Sequence, residues 1–151
     1  MVNLQLLSNK VSSPATKRLF EISEDATLLD EKESELFHRI VAKLIYICKR
    51  SRPDLETVVA FLCTRVSKSD QEDWKKLLRV LSFANQTIND PRIIGAFSLT
   101  KLISWIDASY ALHADMKSHT GATTSFGREV IGTKSSKQKL NTQNSTKAEL
   151  V

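Results

Sequence analysis

The stretch LFHRIVAKLIYICKRSRPDLETVVAFLCTRVSKSDQEDWKKLLRVL, residues 36–81, decides the fold of the first half of the chain. Its apolar residues recur at three- and four-residue steps, the spacing of the buried stripe of an amphipathic helix. Pro53 predicts that the first helix ends near Arg50, because proline disfavours helical geometry in the residue before it. The segments Ser51–Asp54 and Ser69–Glu72 are typical of helix starts. We therefore expect three helices that pack as antiparallel neighbours through short connections.

The segment before this helical region is predicted to be a polar connector, residues 1–35. From residue 12 onward it carries few apolar side chains, and an acidic stretch runs from Glu21 to Glu35. Ser13 followed by Pro14 is typical of a helix N-cap with proline at the first helical position, which allows a short helix over Ala15–Phe20. We expect the rest of the connector to lie on the surface.

The pattern changes after Asn85, where turn-forming residues surround a short apolar strand candidate, Arg92–Phe97. Alternating apolar and polar residues predict further strands, which we expect to pair as consecutive antiparallel hairpins. They span Leu102–Tyr110, Thr120–Phe126 and Val130–Lys134. A capping box at Thr146–Glu149 predicts a helix start. The chain ends at Val151, barely one turn later, which is typical of a truncated reading frame.

The composition predicts a folded protein, and the helices followed by strands in the predicted element order place it in the α+β class. Hydrophobic residues make up 41% and charged residues 26% of the 151 residues, which argues against wholesale disorder. We divide the chain into the connector, a helical region at 36–84, and a second region at 85–151. The net charge of +5 is compatible with a polyanionic partner.

The cysteines and the hydropathy pattern predict the environment of the protein. Cys48 and Cys63 form neither a disulfide framework nor a zinc-binding spacing. The first ten residues lack the features of a secretory signal, and no run approaches the roughly 18 apolar residues of a membrane span. We therefore expect a soluble, reduced, intracellular protein with no membrane partner, in either the cytoplasm or the nucleus.

Short motifs stand in order along residues 12–151. They are FHRIVAKLIYICKRSRPD (37–54) and DWKKLLRVL (73–81), then WIDASY (105–110), SHTG (118–121), KSSKQ (134–138) and STKAE (145–149). In order and spacing they resemble copia-type LTR retrotransposon Pol polyproteins, at the end of the reverse transcriptase and the opening of the RNase H domain. The resemblance implies a small helical bundle followed by a truncated, RNase H-like antiparallel three-stranded sheet and the start of a helix.

The resemblance also implies the site residues. Asp107 matches the first catalytic aspartate of RNase H and Glu149 the second acid, and both would bind Mg²⁺ in the intact family. The family uses four acids; two have no counterpart before Val151, and the paired-aspartate polymerase motif is missing too. Lys147 stands where the family usually carries Glu, and Asn144 replaces a Ser. We expect this chain alone to bind Mg²⁺ poorly and to hydrolyse nothing.

The residues themselves allow a functional and a structural interpretation of each acid. RNase H chemistry uses two metal ions about 4 Å apart, and magnesium prefers oxygen ligands, so clustered carboxylates suit it. Asp107 lies in an otherwise apolar strand, where burial without a ligand is costly, but a strand-end aspartate bonded to a turn is the alternative. Glu149 would serve equally well as the partner of Thr146 in a capping box, at a helix end that favours negative charge.

Two sets of basic residues are candidates for phosphate contacts. The first set surrounds the end of the third predicted strand and the final helix: Lys134, Lys137, Lys139 and Lys147. The second lies on one face of the third helix: Lys75, Lys76 and Arg79. For both sets a solvated charged surface is the alternative.

The remaining chemistry-bearing residues predict structural roles. Cys48 and Cys63 fall on apolar helix stripes and are expected in the core. Trp74 and Trp105 are also expected to pack in the core. Three histidines, His38, His113 and His119, show no metal-ligand spacing, and His113 falls in a predicted turn, where we expect it on the surface.

Several functions remain open. The partners that the resemblance implies are an RNA–DNA hybrid or DNA, and the remainder of the polyprotein. One alternative is a noncatalytic nucleic-acid-binding remnant. Another is a helical protein-interaction module, which could self-associate through the exposed edge of its sheet. A decayed genomic copy without a selected function is the third.

Overall fold

The helices and strands of the chain confirm the predicted α+β class. The computed structural model describes residues 10–150, and the sequence-based statements about residues 1–9 and 151 lie outside that range. The helices are α1 (Glu31–Arg50), α2 (Glu56–Cys63), α3 (Gln71–Gln86) and α4 (Ser145–Glu149), and the strands are β1 (Ile103–Ser109), β2 (His119–Ser125) and β3 (Val130–Lys137). A single 3-10 turn, Pro53–Leu55, leads into α2.

Helix α1 begins five residues before the apolar stripe that predicted it. Asp30 is its N-cap: the Asp30 Oδ1 atom accepts a hydrogen bond from the Glu33 backbone N–H at 2.7 Å. The Glu33 carboxylate accepts the Asp30 N–H in return, at 3.3 Å. The acidic stretch therefore supplies the first turn of the helix, where negative charge is favoured, and not only a connector.

Helix α3 is capped by Asp70, one residue later than predicted. The Asp70 carboxylate accepts from the Asp73 backbone N–H at 2.9 Å, and the Asp73 side chain accepts from the Asp70 N–H. The guanidinium of Arg65 bonds both carboxylates, at 3.0 Å to Asp70 and 2.8 Å to Asp73. This pairing compensates the two buried acids, so the end of α2 and the start of α3 are tied together.

The hydrophobic core lies between the first three helices. Its buried members are Leu19, Phe37, Val41, Leu44, Cys48, Leu55, Val58, Val59, Phe61, Leu62, Leu77 and Val80. The predicted core position of Cys48 is confirmed, and burial raises the pKa of its thiol to about 12, which disfavours the reactive thiolate. Cys63 is half-buried beside the core.

The connector contributes to this core, which the sequence did not predict. Residues Ala15–Phe20 form bends and turns, and the short helix allowed by Ser13 and Pro14 is absent from them. Leu19 is buried, and the ring of Phe20 meets Phe61 edge-on with centroids 5.5 Å apart. Apolar side chains isolated in a polar segment give no periodic signal, so their burial depends on the helices they meet.

The strands form an antiparallel sheet in the order β1-β2-β3, as predicted. The central register aligns Asp107 with Gly121 and Gly121 with Ser135. The pairing of β2 with β3 shifts between Thr124 and Ser125, where Ile131 is the extra residue on β3. Within residues 10–150, β1 pairs on one side only. Its other edge is free of strand partners.

The predicted strand Arg92–Phe97 is wrong. That segment makes a single isolated bridge, between Ala96 and Gly127. Its neighbour is the β2–β3 turn, which supplies two further backbone contacts: Phe97 N–H to the Phe126 carbonyl, and Glu129 N–H to the Gly95 carbonyl. A turn this short cannot extend a ladder of hydrogen bonds.

The sheet is attached to the helices through a buried carboxylate. Glu56, the first residue of α2, accepts hydrogen bonds from the Thr133 hydroxyl and from Lys49 Nζ. It also accepts from the Ser135 backbone N–H at 3.2 Å. Helix α2 thereby packs against β3, while α4 lies beside β1. In the described range 10–150, no helix is long and apolar enough to cross a membrane.

We expect Leu62→Ala to lower the free energy of unfolding by about 2–5 kcal/mol, because the side chain is fully buried and its removal leaves a cavity. The control is Ile88→Ala at an exposed position, which should change it by about 0.5 kcal/mol or less. Urea denaturation followed by circular dichroism measures both. Equal losses in the two variants would contradict the assigned core.

Candidate nucleic-acid interface

The two faces of the sheet have different surroundings. We call one face the bundle face, because the Thr133 hydroxyl on it donates to Glu56 of α2. We call the other the α4 face. On it, Gln138 Nε2 donates to the Thr120 hydroxyl at 2.9 Å and to the Ala148 carbonyl of α4 at 2.6 Å. Because side chains alternate along a strand, each predicted site residue of the sheet can be assigned to one face.

Asp107 lies in the middle of β1 on the bundle face. The register places Ala108 opposite Thr120, so Ala108 belongs to the α4 face and Asp107 to the opposite one. Its carboxylate is exposed and accepts a hydrogen bond from the Ala108 backbone N–H at 2.9 Å. The expectation that Asp107 is buried and needs a ligand for that reason is therefore wrong. Helix α2 covers β3 and leaves the edge strand open to solvent.

Glu149 lies in α4, on the other side of the sheet. It is exposed, and the cap of this helix is Asn144, whose Oδ1 accepts from the Lys147 backbone N–H at 2.9 Å. The predicted capping box, which starts at Thr146, is thus two residues late. Strand alternation places Asp107 on the bundle face, whereas the helix that carries Glu149 packs on the opposite face.

No group of three or more His, Cys, Asp or Glu side chains that could hold a metal ion occurs within residues 10–150. The surroundings of Asp107 are open. Gly121 lies opposite it on β2, and a Cβ atom added there would meet no atom within 4 Å. The bundle face is therefore open beside Asp107, whereas the carboxylate of Glu56 covers β3 on the same face.

The four predicted phosphate-binding lysines do not form one cluster. Lys137 lies on the bundle face and is ion-paired with Asp115 at 2.7 Å. Lys134 points to the α4 face and is exposed, and Lys147 of α4 is exposed and donates to the Gln143 side chain at 2.6 Å. Lys139 is exposed beyond the end of β3. Three of the four can therefore meet a polyanion, and the fourth is already neutralised.

The basic residues of α3 have separate roles. Lys75 forms an exposed pair with Glu72 at 2.6 Å, as expected for a solvated face. Lys76 instead lies 4.7 Å from the centre of the Phe61 ring and donates to the Glu21 carbonyl at 2.7 Å; burial lowers its pKa. Arg79 donates to the Ser13 carbonyl at 3.1 Å. Lys76 and Arg79 thus hold the connector, and the solvated interpretation is wrong for them.

One of the two tryptophans packs against the core and the other is exposed. Trp74 is partly buried against the core, with its ring centroid 6.5 Å from that of Phe37, which confirms its predicted role. Trp105 is 54% exposed on the bundle face of β1, so the prediction that it packs in the core is wrong. Strand alternation predicts which face a residue occupies, but not whether that face is covered.

Exposed apolar residues are concentrated in β1 and in the segment before it. They are Ile88, Ile93, Ile94, Phe97, Leu99, Leu102, Trp105 and Ile106. This set, here the apolar edge, comprises two residues of β1 and six residues of the segment 88–102, which makes few backbone pairs. Clustered exposure of large apolar side chains is a feature of interaction surfaces.

Two histidines are buried, among them His113, which was expected on the surface. His113 is 4% and His119 is 7% exposed. The Nε2 atom of His113 lies 3.0 Å from Nδ1 of His119, and the Nε2 atom of His119 lies 2.7 Å from the Ser135 hydroxyl. The six-residue spacing across the β1–β2 connection is the one signal that could have suggested the pair. The aromatic residues that cover it come from distant segments.

Comparison with known proteins adds no family assignment. No family model matches the sequence, and no solved structure matches the chain significantly. The ordered motifs and the geometry of the sheet therefore carry the functional argument.

We expect Gly121→Ala to leave stability unchanged or to raise it by up to about 1 kcal/mol, because the added Cβ enters open space at an ordinary backbone conformation. Gly127→Ala is the matched control. Gly127 has φ +97°, and a Cβ there would lie 3.1 Å from the Phe97 ring, so a loss of at least about 1 kcal/mol is expected. Chemical denaturation compares the two; a similar loss in both would mean that the space beside Asp107 is filled.

Proposed function

We propose that the chain is a segment of a copia-type retrotransposon Pol polyprotein, from the end of the reverse transcriptase into the RNase H region, with an ancestral role in processing RNA–DNA hybrids. The observation that carries the proposal is the agreement between motif order and element order. The motifs fall on α1 and the turn after it (37–54), α3 (73–81), β1 (105–110), the start of β2 (118–121), the end of β3 (134–138) and α4 (145–149).

The role proposed for this chain by itself is contact with the hybrid, not cleavage. Of the acids that the resemblance implies, only Asp107 and Glu149 have counterparts here, and α4, which carries Glu149, packs on the face of the sheet opposite Asp107. Mg²⁺ belongs to the intact family in this proposal. An intracellular setting, in which the remainder of the polyprotein is the natural partner, is part of the same proposal.

The α4 face is the surface best suited to a phosphate backbone. Lys134 projects from its third strand, and Lys147 lies on the helix packed there; neither is paired with a carboxylate among the described residues. The small side chains of Ala108 and Ala122 lie on the same face, beside the exposed Ile106. A duplex backbone can approach a surface of small side chains closely, and lysines contact phosphates without regard to sequence.

We expect no cleavage of a labelled RNA–DNA hybrid in the presence of Mg²⁺, because only two of the family's four acids have counterparts here and α4 packs on the face of the sheet opposite Asp107. The assay compares the purified chain with Asp107→Asn, which removes the charge and keeps the shape. Cleavage by the unaltered chain that the variant abolishes would contradict the noncatalytic role.

We expect the hybrid to bind with an affinity that falls steeply as salt is added. The double variant Lys134→Ala/Lys147→Ala should reduce the slope of log affinity against log salt by roughly 1–2, because each lost phosphate contact contributes about 0.9. The control is Lys137→Ala, whose ammonium group already pairs with Asp115 and should contribute little to the slope. Fluorescence anisotropy measures both. An unchanged slope in the double variant would exclude the α4 face as the contact surface.

A second candidate function is association through β1, which the exposure of its apolar residues Trp105 and Ile106 favours. β1 has a free edge within residues 10–150, and Asp107 is its one charged residue. Strands that avoid edge-to-edge pairing usually carry inward charges, lysines or prolines, and β1 has no lysine or proline. Pairing through this edge would be driven by apolar burial and backbone hydrogen bonds, so added salt should not weaken it.

Sedimentation velocity separates this candidate from nucleic-acid binding. If the edge associates, Ile106→Lys at the centre of β1 should shift the chain to monomer, because it places a charge where apolar surface would be buried. Tyr46→Lys, at an exposed position of α1, is the control and should leave the distribution unchanged. A monomeric unaltered chain over a wide concentration range would remove self-association as a function.

A further inference from the structure

The His113–His119 pair lies where the helices meet the sheet. His113 belongs to the β1–β2 connection and His119 is the first residue of β2. The His113 ring meets Phe20 edge-on with centroids 5.2 Å apart and stacks on Phe61 at 6.5 Å, and the His119 ring lies 5.4 Å from Phe20. Phe20 comes from the connector and Phe61 from α2, so the imidazole pair packs between the sheet and the helical region. We call this contact region the joint.

The geometry of the pair accommodates one bridging proton. Two ring nitrogens 3.0 Å apart form a hydrogen bond when one carries hydrogen and the other accepts. If both nitrogens carry hydrogen, the two N–H groups face each other and the bond is lost. The other nitrogen of His119 is occupied by the Ser135 hydroxyl. The hydrogen bond between the rings is therefore lost when both rings are protonated.

Charged groups surround the pair without neutralising it. On the sheet side, Asp115 is paired with Lys137 at 2.7 Å and lies 3.9 Å from Lys117. On the helix side, the ammonium group of Lys76 lies over the Phe61 ring. Glu56 is paired with Lys49 and accepts a hydrogen bond from the Ser135 backbone N–H. None of these carboxylates bonds an imidazole ring. A positive charge on either ring would thus be buried without a bonded counterion.

We propose that His113 and His119 form an acid-sensitive latch, which holds the sheet on the helical bundle while both rings are neutral and releases it when they are protonated. Release is confined to the joint. The bundle core consists of apolar residues and one cysteine, contains no histidine and should stay folded.

The direction of the pH effect follows from the two titrations. Burial lowers the pKa of His113 to about 4, and burial also lowers the pKa of His119. In the released state both return toward the ordinary value of about 6.5. The released state then binds more protons, so the closed joint is fully stable above about pH 6.5 and loses stability as the pH falls toward 4. Each proton taken up raises the ratio of open to closed joint about tenfold per pH unit in this window.

Amide NMR spectra of the full chain between pH 7.5 and 4.5 test the latch. The signals of Phe20, Phe61 and Ser135 should change together as the pH falls below about 6.5, while those of the α1 and α3 core remain dispersed. The double variant His113→Gln/His119→Gln, with neutral hydrogen-bonding side chains, should lose this response. His38→Gln removes an exposed histidine of α1 and should retain it.

Three results would overturn the latch. They are a closed joint down to pH 4.5, a response unchanged in the double variant, and loss of the α1 and α3 signals together with those of the joint. If the double variant does not fold, the pH titration of the His113 and His119 ring signals in the unaltered chain tests the latch instead. Ring titrations of His113 and His119 near the ordinary value would overturn the proposal, and ring titrations well below it would support it.

Discussion

The buried carboxylate of Glu56 is the interaction on which the arrangement of helices and sheet depends. A carboxylate removed from water must be bonded, and Glu56 finds its partners in Thr133 and Ser135 of β3 and in Lys49 of α1. Glu56 also begins α2, whose apolar side chains fill the middle of the core. The same short helix is thereby tied to the bundle by apolar packing and to the sheet by polar bonds.

The chemistry of the surface follows from where α2 lies. It covers β3 and leaves β1 open, so Asp107 and Trp105 are exposed on the bundle face instead of enclosed in a site. The α4 helix packs on the other face and carries Glu149 and Lys147 with it. A contact surface for an extended polyanion, or for another strand, suits this geometry better than a pocket around a metal ion.

Much of the fold was predictable, because it depends on local periodicity. The stripes at 36–81 predicted the three helices, and alternation predicted β1, β2 and β3, although β3 continues to Lys137. The errors arose where a local signal was ambiguous. Asp30 and Asp70 compete with nearby Ser and acidic residues as caps, and the segment Arg92–Phe97 has strand composition but only a turn beside it. The candidate site was less predictable: Asp107 was expected to be buried and is exposed, and the sequence did not show which face of the sheet each residue occupies.

The sequence by itself determined which segments become helices and strands and the antiparallel order of the sheet, because those depend on spacing along the chain. Tertiary structure alone decided that His113 and His119 are buried as a pair, that Lys137 is neutralised, and that α4, which carries Glu149, packs on the face of the sheet opposite Asp107. Burial and pairing depend on which distant segment covers a side chain. Phe20 and Phe61 cover the histidines from 93 and 52 positions before His113, a relation that no local pattern encodes.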